Sequence, residues 1–161
     1  MEILRAPRRG EYVASAGKSE GCVMCMALAR SATPDLLVHV APLNFVMMNL
    51  YPYSSGHVMV APRRHLGSLA EATPEELAEM MLLARRLESM LGELYRPDGI
   101  NVGMNLGRAA GAGVADHIHL HLVPRWVGDA NFMTAVGGTR VLPEDPLAAC
   151  ARLRERFERG E

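Results

Sequence analysis

The chain has 161 residues with 17 basic and 18 acidic side chains, a length that favours one domain with a core large enough to fold without disulfides. The near-neutral balance is unsuited to wrapping nucleic acid, and no apolar run approaches the roughly 20 residues that span a bilayer. Three cysteines, without a signal-type segment at the start, favour a reducing, cytoplasmic compartment. We expect a polar N-terminal arm over residues 1–20 and a single domain over residues 21–161.

The first predicted elements are β-strands. Apolar, β-prone residues occupy positions 36–40 and 43–50, and Pro42 separates the two segments. A third, short strand is predicted over residues 57–61, after a turn that contains proline and glycine. Strands therefore precede the first clear helix.

The clearest helix begins at Thr73. The sequence Thr73-Pro74-Glu75-Glu76 supplies an N-cap, a proline at the first helical position and a glutamate three residues after the cap. The pattern continues to about Tyr95, and its apolar positions recur at intervals of three and four residues, which predicts one stripe that covers a sheet face. The residues of that stripe are Leu77, Met80, Met81, Ala84, Leu87, Leu91 and Leu94.

The second half of the chain returns to strands and closes with a helix. A turn at residues 97–99 leads into a strand over residues 100–105, and a glycine-rich loop over residues 107–113 precedes an apolar run with histidines. A final amphipathic helix is predicted over residues 146–157. Strands, one long helix and then adjacent strands predict an α+β fold with an antiparallel sheet.

Three histidines occupy every second position of that apolar run. His117, His119 and His121 are separated by Ile118 and Leu120. Side chains alternate between the two faces of a β-strand, so all three imidazoles are expected on one surface and the aliphatic side chains on the other. The favoured interpretation is a chemical site.

The loop before the histidines is suited to an anion. Glycines at positions 107, 111 and 113, with small residues between them, let backbone N–H groups approach a phosphate closely. A neutral imidazole nitrogen is a good nucleophile at pH 7, and its bond to phosphorus is readily broken in a second step. A second histidine can donate to the phosphoryl oxygens or to the leaving group. Together these parts predict a transfer to phosphorus that needs no catalytic metal.

The segment His117-Ile118-His119-Leu120-His121-Leu122-Val123 resembles the His-x-His-x-His-x-x signature of the histidine triad (HIT) superfamily. The likeness covers roughly residues 20–135, including the Asn49 to His57 segment, the strand after it, the long helix and the glycine-rich loop. It implies a HIT-like fold, with an antiparallel sheet of about five strands, one long helix and a C-terminal helix. It also implies a homodimer in which the sheet and the long helix meet across a two-fold axis.

The resemblance assigns roles to three histidines. His119 is implied as the nucleophile that takes up a nucleoside monophosphoryl group, and His121 as the residue that contacts the phosphoryl and leaving-group oxygens. His57 is implied as the supporting histidine behind them. A structural histidine that only satisfies a backbone group is the alternative for His57.

Four further positions are implied to bind the nucleotide. Asn49 resembles the ribose-binding position, and Asn105 occupies the position of a polar residue that contacts the phosphate chain. Gly111 and Gly113 belong to the loop that is expected to hold the phosphate.

The subfamily is indicated by two segments. Gly113 and Val114 stand where many members carry glutamine and a phosphate-binding serine or threonine, which weighs against the purine phosphoramidase branch. Residues 111–114 and 123–132 instead resemble diadenosine tetraphosphate phosphorylases and related bacterial adenylyltransferase-like members. Trp126 either closes over the nucleotide or packs at a subunit contact.

Cys22 and Cys25 form a candidate metal site. Their two-residue gap lets two thiolates hold one zinc ion, while two core cysteines are the alternative because their surroundings are apolar. The resemblance implies that His65 and His117 complete a Cys2His2 site, as in several HIT members. That zinc would be structural, fixing the start of the histidine strand and leaving the phosphorus chemistry to His119.

We therefore expect an enzyme that cleaves or transfers a nucleoside monophosphate, with AMP as the first choice, from dinucleoside polyphosphates or nucleotide conjugates. The transfer passes through a covalent nucleotidyl-histidine, and the acceptor, water or phosphate, decides between a hydrolase and a phosphorylase (adenylyltransferase). The alternatives are a purine nucleoside phosphoramidase, a nucleotide-binding sensor with little turnover, and an enzyme whose three histidines bind a catalytic metal.

Overall fold

The computed structural model describes residues 21–31, 34–129 and 144–160. The predicted arm over residues 1–20 and residues 130–135 of the implied family likeness lie outside these ranges. The elements are α1 (Val23–Leu28), β1 (Leu37–Val40), β2 (Asn44–Met48), β3 (Val58–Pro62), α2 (Pro74–Tyr95), β4 (Gly99–Met104), β5 (Leu120–Arg125) and α3 (Pro146–Glu158). Two short 3-10 turns lie at Leu69–Glu71 and Arg108–Ala110.

The strands form one five-stranded antiparallel sheet in the order β1-β2-β3-β5-β4. Helices α2 and α3 pack on one face, where residues of the central strands meet apolar residues of both helices in the larger core. A smaller apolar cluster on the other face joins α1 to alternate residues of β2 and β3. The predicted α+β fold with an antiparallel sheet is confirmed.

Helix α2 has the predicted cap. The Glu76 N–H donates to Thr73 Oγ1 at 3.2 Å, and the Thr73 N–H donates to the Glu76 carboxylate at 2.8 Å. Two backbone donors at the start of the helix are thereby satisfied by side chains. The carboxylate of Glu76 also accepts two 2.7 Å bonds from the guanidinium of Arg64, which joins the helix to the segment after β3.

The buried stripe of α2 differs from the predicted one at its edge. Met81 is 58% exposed, whereas Leu83 and Met90 are buried in the core. Each helical residue is rotated by about 100° from its neighbour, so Met81 leaves the face that Met80 shares with Ala84. Although α2 has 22 residues, neither it nor another helix of the described segments combines the length and apolar character needed to cross a membrane.

Helix α1 was not predicted from the sequence. It spans only six residues, and its apolar side chains give no clear period. Met24 and Ala27 pack against the sheet, and Cys22 immediately precedes the helix. The packing of α1 on the sheet brings this part of the chain close to the histidines.

The ion pair of Glu76 predicts a specific loss of stability in acid. The Arg64 guanidinium and then the Thr73 N–H lower the pKa of Glu76 to about 2. Because the pKa is lower in the folded than in the unfolded chain, the stabilisation is complete above about pH 4.5 and is lost as the pH falls toward 2. Glu76→Gln is expected to lower the free energy of unfolding by roughly 2 kcal/mol at pH 7, since half-exposed Arg64 is partly screened by water.

Urea denaturation at a series of pH values tests this prediction. The difference between the wild type and Glu76→Gln should shrink between pH 4.5 and pH 2. Glu75→Gln, an exposed neighbour in the same helical turn, is the control and should stay close to the wild type. A constant difference across this pH range would contradict the assignment.

Gly56 predicts a second stability effect. Its φ is +75°, and a Cβ there would lie 2.8 Å from Cε2 of Tyr95. Gly56→Ala is therefore expected to lower the free energy of unfolding by about 2 kcal/mol or more. Gly92→Ala, in α2 with no heavy atom within 4 Å of the new Cβ, should instead be neutral or stabilise by up to about 1 kcal/mol. Denaturant titration of both variants checks the opposite signs, and similar effects at the two sites would contradict the prediction.

Candidate active site

His57 and His121 are joined in the buried site. The backbone N–H of Tyr53 donates to Nδ1 of His57 at 3.0 Å, so the proton of the neutral His57 ring lies on Nε2. That Nε2–H donates to Nδ1 of His121 at 2.9 Å. The proton of His121 is then on its own Nε2, which makes this atom a hydrogen-bond donor to any group beside it.

His119 carries its proton on the other ring nitrogen, Nδ1. Its Nδ1–H donates to the carbonyl oxygen of His117 at 2.8 Å, which leaves Nε2 with a lone pair that no hydrogen bond from the described residues occupies. Burial lowers the pKa of His119, and the bond to the His117 carbonyl offsets only part of this effect. The ring is therefore neutral at pH 7, as a nucleophile must be, and its centroid lies 4.7 Å from that of His121.

The histidine row begins before the strand rather than inside it. Strand β5 starts at Leu120, so His117 and His119 lie in the segment that enters the strand. All three imidazoles are nevertheless buried, and Leu120 packs in the core beneath α2 and α3. The prediction that the imidazoles share the face opposite the aliphatic residues agrees with this packing.

The strand register places polar residues on either side of the histidines. The Asn49 N–H donates to the carbonyl of His57 at 3.1 Å, and its Oδ1 accepts from the Tyr51 N–H at 2.9 Å. On the other side, Gly103 pairs with His121, and continuing this register places Asn105 opposite His119. A Cβ on Gly103 would have no heavy atom of the described residues within 4 Å, which leaves space beside His121 for a ligand in this part of the structure.

The glycine-rich loop is folded on itself. The N–H groups of Ala110 and Ala112 donate to the carbonyl of Gly107, and the N–H of Gly111 donates to that of Arg108. In this conformation the Gly111 amide is occupied inside the loop, so its predicted contact with phosphate requires a local rearrangement. Gly113 is half-buried nearer the histidines.

Cys22, Cys25, His65 and His117 meet at one point. One ligand atom from each lies within 4.8 Å of the other three. Nδ1 of His117 is 3.3 Å from Sγ of Cys22 and 3.7 Å from Sγ of Cys25, while Nδ1 of His65 is 3.5 Å from the latter. A tetrahedral zinc ion with ordinary bond lengths separates sulfur and nitrogen ligands by about 3.5 Å. Both the donor set and the spacing fit zinc.

The protonation of this cluster also suits a cation. The Nε2–H of His117 donates to the carbonyl of Pro62 at 2.8 Å, which leaves Nδ1 as the free lone pair facing the sulfurs. Burial raises the pKa of the Cys22 thiol, whereas the backbone N–H groups of Met24 and Cys25 lower it. Burial and the neighbouring Cys22 raise the pKa of Cys25. A bound cation would favour the thiolate at both positions.

A model of the HIT domain matches residues 30–127 of the chain. The chain belongs to the HIT family. This assignment agrees with the sheet topology and with the histidine row, which lies at the end of the matched region.

The HIT chain has relatives with named activities. It is 45% identical over 109 residues to AP-4-A phosphorylase of Mycobacterium tuberculosis, an alignment that covers 68% of this chain and 56% of that protein. It is 37% identical over 83 residues to the bis(5'-adenosyl)-triphosphatase of Dictyostelium discoideum, covering 52% of this chain and 55% of the relative. The chain thus spans about half the length of these curated relatives.

A crystal structure of a zinc-bound histidine triad family protein from Mycobacterium smegmatis has a similar fold. The TM-score is 0.70 at 29% sequence identity, and the match covers 88% of this chain and 98% of that one. The likeness extends beyond the region matched by the HIT model and supports the assigned architecture.

Tyr53 is a residue of this HIT site that the sequence analysis did not single out. Its N–H sets the tautomer of His57, and its ring lies 4.7 Å from the His57 ring and 6.0 Å from the His121 ring, measured between centroids. The only local signal was its place in the turn before His57. Aromatic residues in such turns commonly serve packing, so the sequence alone gave no reason to select it.

Proposed function

We propose that this HIT protein is an enzyme that transfers a nucleoside monophosphate, AMP in the first instance, to water or phosphate. The donor is a dinucleoside polyphosphate or a nucleotide conjugate. The observation that carries the proposal is the free, neutral Nε2 of His119 beside the Nε2–H of His121. The activities named for the relatives from Mycobacterium tuberculosis and Dictyostelium discoideum support the substrate class.

The first step forms a covalent intermediate on His119. Its Nε2 attacks the α-phosphorus, and the bond from that phosphorus to the leaving nucleotide oxygen breaks with both electrons going to the oxygen. The Nε2–H of His121 donates to the departing oxygen and stabilises its charge. The positive charge that develops on the His119 ring is stabilised by the bond from Nδ1–H to the His117 carbonyl.

The second step releases the nucleotide. An oxygen of water or of inorganic phosphate attacks the same phosphorus, and the bond to Nε2 of His119 breaks, which returns the ring to its neutral form. Water loses its proton to solvent in this step, whereas the phosphate anion attacks through an unprotonated oxygen. The first acceptor gives a monophosphate and the second gives a diphosphate.

The remaining nucleotide contacts are assigned to two asparagines and two glycines. Asn49 directly follows β2 and Asn105 directly follows β4, one on either side of the histidines, which supports the ribose role for Asn49 and the phosphate-chain role for Asn105 that the family resemblance implies. Gly111 and Gly113 contribute to phosphate binding after the loop rearranges.

Phosphorus-31 NMR of the products from diadenosine tetraphosphate, with and without inorganic phosphate, tests the proposal. AMP plus ATP indicates hydrolysis, and ADP plus ATP indicates phosphorolysis. Cleavage of adenosine phosphoramidate alone would favour a phosphoramidase, and tight AMP binding without turnover of any donor would favour a sensor. Activity lost on chelation and restored at once by metal, without unfolding, would favour a catalytic metal on the three histidines.

We also propose that Cys22, Cys25, His65 and His117 hold a structural zinc ion. The support is the fit of their donor atoms and spacing to tetrahedral zinc, together with the zinc-bound relative from Mycobacterium smegmatis. Zinc would supply a cross-link between α1, the end of β3 and the segment before β5. In this proposal it takes no part in the reaction at phosphorus.

A homodimer is the proposed assembly. Among the described residues no strand pairs with the outer edge of β4, and Val102 on it is 50% exposed, so a strand edge and apolar surface are available to a second copy. Light scattering on the purified protein at several concentrations measures the state, and a monomer throughout would contradict the proposal.

A further inference from the structure

Three polar side chains form a cluster behind the turn that carries His57. The hydroxyl of Tyr95, the last residue of α2, donates to Oε2 of Glu144 at 2.5 Å. Arg152 of α3 donates to the other carboxylate oxygen of Glu144, and its guanidinium lies over the Tyr95 ring, 4.9 Å from the centroid. Tyr95, Glu144 and Arg152, here called the positioning cluster, thereby join the end of α2 to α3.

The positioning cluster contacts the backbone of the turn directly. A Cβ on Gly56 would lie 2.8 Å from Cε2 and 3.0 Å from Cζ of Tyr95, so the aromatic ring covers this glycine closely. Ser55, Gly56 and Glu144 line one small, partly open cavity of about 10 Å³, so Glu144 lies beside the turn. Because the Tyr95 ring already covers Gly56 this closely, a shift of Tyr95 toward the turn must be accommodated by the turn itself.

The turn in its own right sets the position of His57. The His57 N–H donates to the carbonyl of Ser54 at 3.2 Å, and Gly56 adopts the positive φ that this tight turn requires. The hydroxyl of Ser54 donates to the carbonyl of Pro124 at 2.7 Å, which ties the turn to β5. His57 immediately follows Gly56 and reaches His121 through one 2.9 Å hydrogen bond, which weakens when its length or angle changes.

We propose that Tyr95, Glu144 and Arg152 are positioning residues for the reaction, because they hold the turn of residues 54–57 so that His57 donates to His121. The inference rests on the proposed function for its catalytic consequence, although the geometry of the two imidazoles can be measured independently of it. None of the three side chains contacts the substrate in this proposal. Their effect reaches phosphorus only through the tautomer and orientation of His121.

The chemistry of the cluster suits this role. Burial and then the bond to Glu144 raise the pKa of Tyr95, so its hydroxyl remains a donor over the working pH range. Glu144 accepts from both neighbours, so its removal takes away both of these hydrogen bonds. Arg152 is fixed by the ion pair and by its contact with the Tyr95 ring.

The experiment compares Glu144→Ala, which removes the link between α2 and α3 behind the turn, with a variant that removes a different link between these two helices. With diadenosine tetraphosphate as substrate, Glu144→Ala is expected to lower kcat about tenfold and to leave KM within about twofold, since a small misplacement of a catalytic group affects the chemical step. The nitrogen-15 NMR signals of the His57 and His121 rings should change from one tautomer to a mixture. Glu93→Gln, which removes the α2–α3 ion pair between Glu93 and Arg156 away from the turn, should leave kcat and both rings unchanged.

Two further variants separate positioning from folding. Glu144→Gln keeps an oxygen acceptor and should recover most of kcat. Tyr95→Phe keeps the ring against Gly56 and should lower kcat by about threefold with the same spectral change, even if Glu144→Ala does not fold.

Unchanged kcat and ring signals in Glu144→Ala and Tyr95→Phe would overturn the proposal. An equal loss in Glu93→Gln would also overturn it, because the effect would then be general docking of the two helices. If the wild type turns over no nucleotide donor, the proposed function fails, and the nitrogen-15 signals still decide whether the cluster positions His57.

Discussion

His119→Ala is expected to lower kcat for diadenosine tetraphosphate by at least about 10⁴-fold while the fold is retained. The variant lacks the nitrogen that would bond to phosphorus, and the Nε2–H of His121 is a donor that cannot replace it. Loss of the bond to the His117 carbonyl should cost only about 1 to 2 kcal/mol of the free energy of unfolding. The catalytic effect therefore far exceeds the structural one.

Steady-state kinetics and circular dichroism measure the two effects of His119→Ala separately. Mass spectrometry of wild-type enzyme stopped in alkali during turnover should find a nucleotidyl adduct on the peptide that contains His119, and the variant should lack it. His39→Gln, on β1 where the ring stacks on Phe157, is the control and should keep its turnover. Substantial turnover by His119→Ala would exclude the covalent mechanism.

Loss of the zinc site is expected to produce the largest change in stability. Cys25→Ala should reduce bound zinc well below one ion per chain and lower the free energy of unfolding by at least about 3 kcal/mol, because a structural metal contributes its binding energy to folding. In the wild type, the zinc site would join α1 to His65 after β3 and to His117 before β5. Since the His117 carbonyl holds Nδ1 of His119, kcat should fall as well.

Elemental analysis and thermal denaturation with and without a chelator test the zinc prediction. The chelator should lower the Tm of the wild type and have little effect on Cys25→Ala. Cys150→Ala, at a buried cysteine whose thiol lies near the carbonyl of Leu37, is the matched control and should bind zinc as the wild type does. Purified wild type without zinc, with thiols that titrate freely in the folded state, would refute the assignment.

Much of the local structure was determined by the sequence itself. Thr73 and Glu76 form the predicted capping box because its hydrogen bonds join residues three apart. Leu120 packs in the larger core while His121 pairs with Met59 of the smaller cluster on the other face, an alternation that depends only on an extended backbone. The order of elements likewise allowed the α+β class to be predicted, and the histidine row and the cysteine pair identified the residues on which the proposed site depends.

The tertiary structure alone decided which atom of each ring is available for chemistry. His57 and His121 are 64 positions apart in the chain, and their tautomers depend on the bond between them and on the Tyr53 N–H. Cys22 likewise meets His117 across 95 positions. The position of Tyr95 against Gly56 and the occupied amide of Gly111 also required the folded chain. The types and spacing of the residues show which chemical groups the chain contains. Which imidazole nitrogen carries the lone pair is determined by hydrogen bonds from distant segments.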